Sequence, residues 1–122
     1  MERHALLFRV KPGTEAAVEA VLAGYPRPAT VIDDETRLLG TTVMMHGNVV
    51  VRSMEIEGSL PKVAAHLSRQ PEIQAVERAL NPYLEEPRDM TDPQSARAFF
   101  QRSGMRLLMH RGAPVRPAGV TV

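Results

Sequence analysis

Arg52 stands in VVVRSMEIEG (49–58), a stretch that otherwise reads as a β-strand, and its guanidinium is a reactive group in an apolar setting. Side chains alternate between the faces of a strand, so Val50, Arg52, Met54 and Ile56 share one face. Val49, Val51, Ser53, Glu55 and Glu57 share the other. An arginine on the more apolar face is either a paired structural charge or part of a site, because an unpaired buried charge is very costly. Its partner is either a helix glutamate, Asp33 or Asp34, or else an acidic oxygen of a ligand held in a cavity walled by Val43, Met45 and Met54. Arginine cannot serve as an ordinary general base, so a proton carrier has to come from elsewhere.

The histidines are His4, His46, His66 and His110. None is spaced as His-x-His or His-x-x-x-His, so no metal site is expected. His46 falls at a hairpin tip, and His4 and His110 fall in outer strands. His66 lies on the flank of a helix, about 100° from the centre of its apolar stripe. It reads first as a surface group and is also the histidine paired with Arg52 as a catalytic candidate. Arg37 opens the strand before Arg52 and is expected to rim the cavity mouth. Tyr83 lies on a helix stripe, where it either packs in the core or turns its hydroxyl into the cavity. Asp33-Asp34-Glu35 reads as a solvated run, or as a lid over the substrate.

The elements that must position these residues follow from periodicity. HALLFRV (4–10) is a strand stopped by Lys11-Pro12-Gly13. Thr14 is placed to cap a helix running to Ala23, ended by Gly24. A loop over 25–35 leads to a strand over 36–46. Gly47-Asn48 then makes a two-residue turn with glycine first, as type II′ prefers, and the next strand is that of Arg52. Leu60, Val63, Ala64 and Leu67 fall at i, i+3, i+4 and i+7 on a helix with Pro61 in its first turn. Pro71 starts a further helix carrying Ile73, Val76, Leu80 and Tyr83, and Pro82 ends or kinks it. EEPRDMTDP (85–93) reads as a polar linker. Asp92-Pro93 opens a short helix with Ala96, Phe99 and Phe100, and MRLLMHR (105–111) reads as a last strand. The order β-α-β-β-α-α-α-β predicts an α+β fold: a ferredoxin-like antiparallel sheet with helices on one face. Residues 1–111 form a single domain in this reading, and 112–122 a loose Pro/Gly-rich tail.

The turn fixes the register of the hairpin: Met45 faces Val50, Val43 faces Arg52, and so on down the ladder. Continued without a break, it puts Leu39, Thr41, Val43, Met45, Val50, Arg52, Met54 and Ile56 against the helices. Leu38, Met44, Val49 and Val51 fall on the second face, which is too apolar for water and is expected to meet another subunit's sheet.

The bulk composition narrows the function. The chain has 122 residues, enough for one domain with a real core, and a formal net charge of +1. No global field recruits nucleic acid or an acidic membrane. Cysteine is absent, which excludes disulfides and thiolate chemistry and suits a reducing cytoplasm. MERHALLFRV is neither a signal peptide nor a membrane span. Aromatics make up 4% of the chain and tryptophan is absent, against a base-stacking platform. No Gly-x-Gly-x-x-Gly follows a strand, and no cofactor is expected.

RHALLFRVKPGTE, TRLLGTTVMMHGNVVVRSMEIEG and LSRQPEIQAVERALNPYLEEPRDM resemble the SchA/CurD-like proteins of aromatic polyketide and spore-pigment biosynthesis, over roughly residues 3–110. The middle and later segments are more distantly similar to tetracenomycin-type polyketide cyclases, which share a segment like Asn81-Pro82-Tyr83-Leu84. The resemblance implies a dimeric α/β barrel of ferredoxin-like subunits, with a cavity between sheet and helices that takes an aromatic polyketide. It also implies a histidine in the cyclases where Arg52 stands here, so their chemistry does not carry over unchanged. Three functions fit: a cyclase or aromatase, a cofactor-free oxygenase of phenolic polyketides, and a non-catalytic partner of the type II polyketide synthase. An RNA-binding ferredoxin-like module fits poorly, since its aromatic sheet motif is absent.

Overall fold

The computed structural model describes residues 1–26 and 30–113. The chain forms β1 (Glu2–Arg9), α1 (Glu15–Ala23), β2 (Arg37–His46), β3 (Val49–Glu57), α2 (Leu60–Ser68), α3 (Pro71–Leu80), a 3₁₀ turn (Asn81–Tyr83), α4 (Pro93–Ser103) and β4 (Gly104–Met105). The sheet order is β2-β3-β1-β4, with antiparallel neighbours throughout. The architecture is α+β and ferredoxin-like, and its second helical segment is divided between α2 and α3.

Local chemistry accounts for most boundaries. The Ser59 side chain caps α2 by accepting from the Lys62 amide, and Asp92 caps α4 by accepting from the Gln94 and Ser95 amides. Thr14 precedes α1 without capping it. Its hydroxyl instead donates to the Lys11 carbonyl at 2.5 Å, which ties the helix start to the end of β1. Gly47 has a φ of +55° and Asn48, like every non-glycine residue among the described residues, does not have a positive φ, as a type II′ turn requires. Gly58 (φ +86°) joins β3 to α2 where a Cβ would come within 2.5 Å of the Glu35 carbonyl, so only glycine fits.

Two expectations need correcting. The hairpin keeps its expected register from His46↔Val49 to Gly40↔Glu55, and a bulge at Leu39 then shifts it by one residue. Below the bulge Leu38, not Leu39, faces Ile56 and is buried, while Leu39 is 44% exposed. An extra residue in one strand reverses every later side chain. Arg37 is thereby turned out of the core and is exposed. The expected last strand over 105–111 shrinks to Gly104–Met105, paired with Leu6 and Ala5 of β1. Leu107, Leu108 and Met109 lie outside it, 58%, 81% and 68% exposed. The expected tail lies, from residue 114 on, outside the described residues.

The core divides into two clusters. Val10, Val18, Val50, Leu80 and Leu84 pack together where α1 and α3 meet the hairpin end of the sheet. Leu6, Leu38, Met54, Ile56, Val63, Leu67 and Phe99 pack where α2 and α4 meet its other end. Phe8 touches both.

Candidate functional site

A cavity of about 400 Å³ lies between the sheet and the helices, on the side of the second cluster. Leu6 and Phe8 of β1, Met54 of β3, Val63 and Leu67 of α2, Ile73 of α3, and Phe99 and Phe100 of α4 make its apolar walls. Its size falls within the range of small-molecule sites. The stripe that makes α2 amphipathic is thus the stripe that lines the cavity.

Arg52 enters this space from β3, opposite Leu6 of β1 and Val43 of β2. Among the described residues no carboxylate pairs with it: Glu55 pairs with Arg3, and Asp33 with Lys62 at 3.2 Å. The Arg52 guanidinium stacks on the ring of Tyr25 at 4.8 Å, and its Nε and Nη2 are buried without a hydrogen-bond partner. Buried polar groups are normally satisfied, so two open donors on one charged group mark a place for an acceptor.

Two residues that sequence reasoning passed over complete the site. Tyr25 follows the Gly24 end of α1, and its buried hydroxyl also lacks a partner. Burial pushes the phenol above its ordinary value, and the charge of Arg52 draws it back part of the way. Arg88 comes from the 85–93 segment that reads as a polar linker, yet it is only 8% exposed. Its guanidinium lies against the rings of Phe8 (4.7 Å) and Phe99 (3.8 Å) and donates through Nη2 to Glu77 at 3.1 Å. Burial lowers its pKa first, Glu77 restores part of it, and the Arg52 charge lowers it again.

The linker itself is closely wired. The Arg88 amide donates to Asn81 Oδ1 at 2.8 Å, and the Asp89 amide to Ser95 Oγ at 2.8 Å. The Thr91 hydroxyl and amide both donate to Asp89, which holds that carboxyl below the usual range. These bonds fix the segment as it carries Arg88 inward. No spacing rule separates Arg88 from the exposed Arg69 or Arg97 in the sequence. The signal is tertiary.

Of the residues the sequence nominates, the structure brings Arg52 and Met54 to the cavity. Val43, Met45 and Tyr83 pack instead against the Val10–Leu84 cluster. They share Arg52's side of the sheet or its helical cover, but lie nearer the hairpin end. Parity assigns a face, whereas position along the strand, at about 3.3 Å per residue, decides which helix lies above. His66 is half-buried on α2, with Nε2 buried and unpartnered, and it is absent from the cavity lining. His46 and His110 are exposed. Among the described residues no cluster of three metal-ligating side chains occurs, and no helix is long and apolar enough to cross a membrane.

The family model described as the SchA/CurD like domain matches residues 1–113. The chain belongs to the SchA/CurD-like family. It is 57% identical over 120 residues to "Polyketide synthase CurD" of Streptomyces cyaneus, covering 97% of this chain and 32% of that protein. It is 50% identical over 114 residues to the "42.8 kDa protein in whiE locus" of Streptomyces coelicolor, covering 93% of this chain and 29% of that one. This SchA/CurD-like chain therefore spans about a third of the length of the curated relatives it matches. Among solved structures it is similar to tetracenomycin F2 cyclase of Streptomyces glaucescens, described as a type-II polyketide cyclase. The TM-score is 0.56 at 16% identity, covering 93% of this chain and all of that one. That likeness establishes the fold.

Proposed function

We propose that this SchA/CurD-like protein acts in aromatic polyketide biosynthesis as a cyclase, closing a ring of a poly-β-ketone or partly cyclised intermediate in the cavity beside Arg52. The observation that carries the reading is Arg52 itself, which lines an apolar cavity of ligand size and whose Nε and Nη2 are buried without a hydrogen-bond partner. The family membership and the cyclase fold support it. The α-carbon between two carbonyls gives up its acidic proton to solvent water. The enolate carbon then bonds to a second carbonyl carbon as that C=O π bond breaks. The alkoxide formed takes up a proton, and loss of water gives the aromatic ring. Arg52 holds the enolate oxygen by charge-assisted hydrogen bonds, and the apolar walls fold the chain into reach. Tyr25, held protonated by burial next to Arg52, is the group placed to deliver a proton to the oxygen formed. The net change is ring closure with loss of water and no net oxidation or reduction, so the mechanism calls for no cofactor. The substrate comes from type II polyketide synthase components in the cytoplasm.

A second copy of the chain completes the molecule in this reading. The sheet face away from the helices exposes Met44 (60%) beside half-buried Val49 and Val51, an apolar surface suited to a homodimer.

The test is a product profile with the minimal synthase and its extender units, with and without air, comparing wild type and Arg52→Met. A new ring pattern that needs no air and is lost in the variant supports the cyclase. A product heavier by oxygen and dependent on air indicates an oxygenase. More product of unchanged pattern from both proteins indicates a non-catalytic partner of the synthase.

A further inference from the structure

The charged groups around the cavity do not balance. Arg78 and Asp89 are exposed at its edge and carry opposite signs. Within it stand Arg52 and Arg88 against Glu77 alone, which leaves one positive charge without a counter-ion among the described residues. Arg88 packs against two aromatic rings, donates to Glu77 and is only 8% exposed, so its charge stays beside the cavity. Arg88 Nε and Nη1, like Arg52 Nε and Nη2, are buried without a partner. The open donors of Arg52 matter most. Nε and Nη2 form one side of the planar guanidinium, with two parallel N–H bonds at the spacing of the two oxygens of a carboxylate.

Resting on the reading of the cavity as a substrate site, we propose that Arg52 and Arg88 form a binding site for a single carboxylate borne on an aromatic ring system. The physiological ligand is thus an aromatic acid and not a neutral polyphenol. The carboxylate takes the open side of Arg52 in a two-point contact and neutralises the surplus charge that Arg88 fixes in place. The rings lie against Phe8, Met54 and Phe99. A neutral ligand of the same shape leaves two guanidinium groups in one cavity with a single carboxylate, and it binds more weakly for that reason. Tyr25 stacks on Arg52 at 4.8 Å and lines the same cavity.

The experiment is calorimetric titration of the purified protein with 2-naphthoate, with 2-naphthamide as the uncharged isostere and with inorganic phosphate as a bare anion. Wild type is expected to bind the naphthoate about tenfold or more tightly than the amide. Arg52→Gln should erase that preference while circular dichroism shows the fold retained. Arg88→Gln and Glu77→Gln each break the buried pair, but Glu77→Gln keeps both guanidinium groups, so it is the second variant, titrated once circular dichroism shows the fold retained. If it does not fold, the Arg52→Gln comparison decides alone. Glu77→Gln raises the surplus charge and should tighten naphthoate while leaving the amide unchanged. Equal binding of acid and amide, binding of neither, a preference that survives Arg52→Gln, or weaker naphthoate binding in Glu77→Gln would each overturn the proposal. Phosphate displacing naphthoate at matched concentration would replace the aromatic acid with a general anion, and so overturn it too. The synthase is not involved in this assay, so the two readings fail separately. Charge-selective naphthoate binding with an unaltered product profile removes the cyclase and keeps the acid site. An altered profile with indifferent naphthoate binding does the reverse.

Discussion

The two halves of the core are built from the same sheet and differ in what fills them. At the hairpin end, Val10, Val18, Val50, Leu80 and Leu84 are at most 2% exposed, and Tyr83, Val43 and Met45 close around them. At the other end, Leu6, Met54, Val63, Leu67 and Phe99 form walls and leave a cavity that admits two arginines, a glutamate and a tyrosine. The first arrangement is what packing alone produces. The second leaves contacts unmade and donors unsatisfied, at a cost that folding alone would not select. The contrast teaches that the hairpin end supplies stability and the cavity end spends some of it on binding.

Substitutions on the two sides should separate these roles. The largest effect is expected from Arg88→Met, which strands buried Glu77. Urea unfolding should show a loss of about 3–5 kcal/mol, and a loss under about 1 kcal/mol would show that the pair is not desolvated. Leu80→Ala at the hairpin end should cost about 2–5 kcal/mol yet leave ligand binding at the cavity unchanged. A change in binding there would break the division between the halves. Arg52→Met sharpens the comparison, since it removes a half-buried cation that has no carboxylate partner among the described residues. Its stability should stay within about 1 kcal/mol of wild type or rise, while the product profile is lost. A large destabilisation would make Arg52 a structural residue.

The smallest effect concerns pH. Tyr25 keeps its proton above the ordinary phenol value of about 10, where the unfolded chain has released it. In that window the unfolded state binds fewer protons, so stability falls as pH rises through the folded value, and the contribution is fully present below about pH 10. Urea unfolding between about pH 9 and 11 should show this slope in wild type and a shallower one in Tyr25→Phe. Equal slopes would place the hydroxyl in water.

Much of the fold was legible because it rests on local rules. The Gly47-Asn48 turn set the hairpin register, Ser59 and Asp92 marked helix starts, and the Leu60–Leu67 spacing found the stripe that lines the cavity. Arg52 was legible as a charge among apolar neighbours of one parity. The bulge at Leu39 was not, because both leucines flanking the shift suit either face, and Arg37 was misplaced with it. The inner ends of the cavity walls were assigned by face alone, which drew in Val43 and Met45 from the other half. Arg88 and Tyr25 were invisible for a stronger reason. Each sits in a segment with no periodicity, and only folding brings 25, 52, 77 and 88 together.

The central claim is that the cavity at Arg52, and not the exposed sheet face, receives the aromatic ligand. A crystal structure of the protein with a bound aromatic polyketide acid tests it most directly. The account predicts ring density between Met54 and Phe99, with a ligand oxygen within hydrogen-bond reach of Arg52 Nε and Nη2. Ligand density confined to the Met44–Val51 face, with Arg52 unchanged and its donors still open, would contradict it.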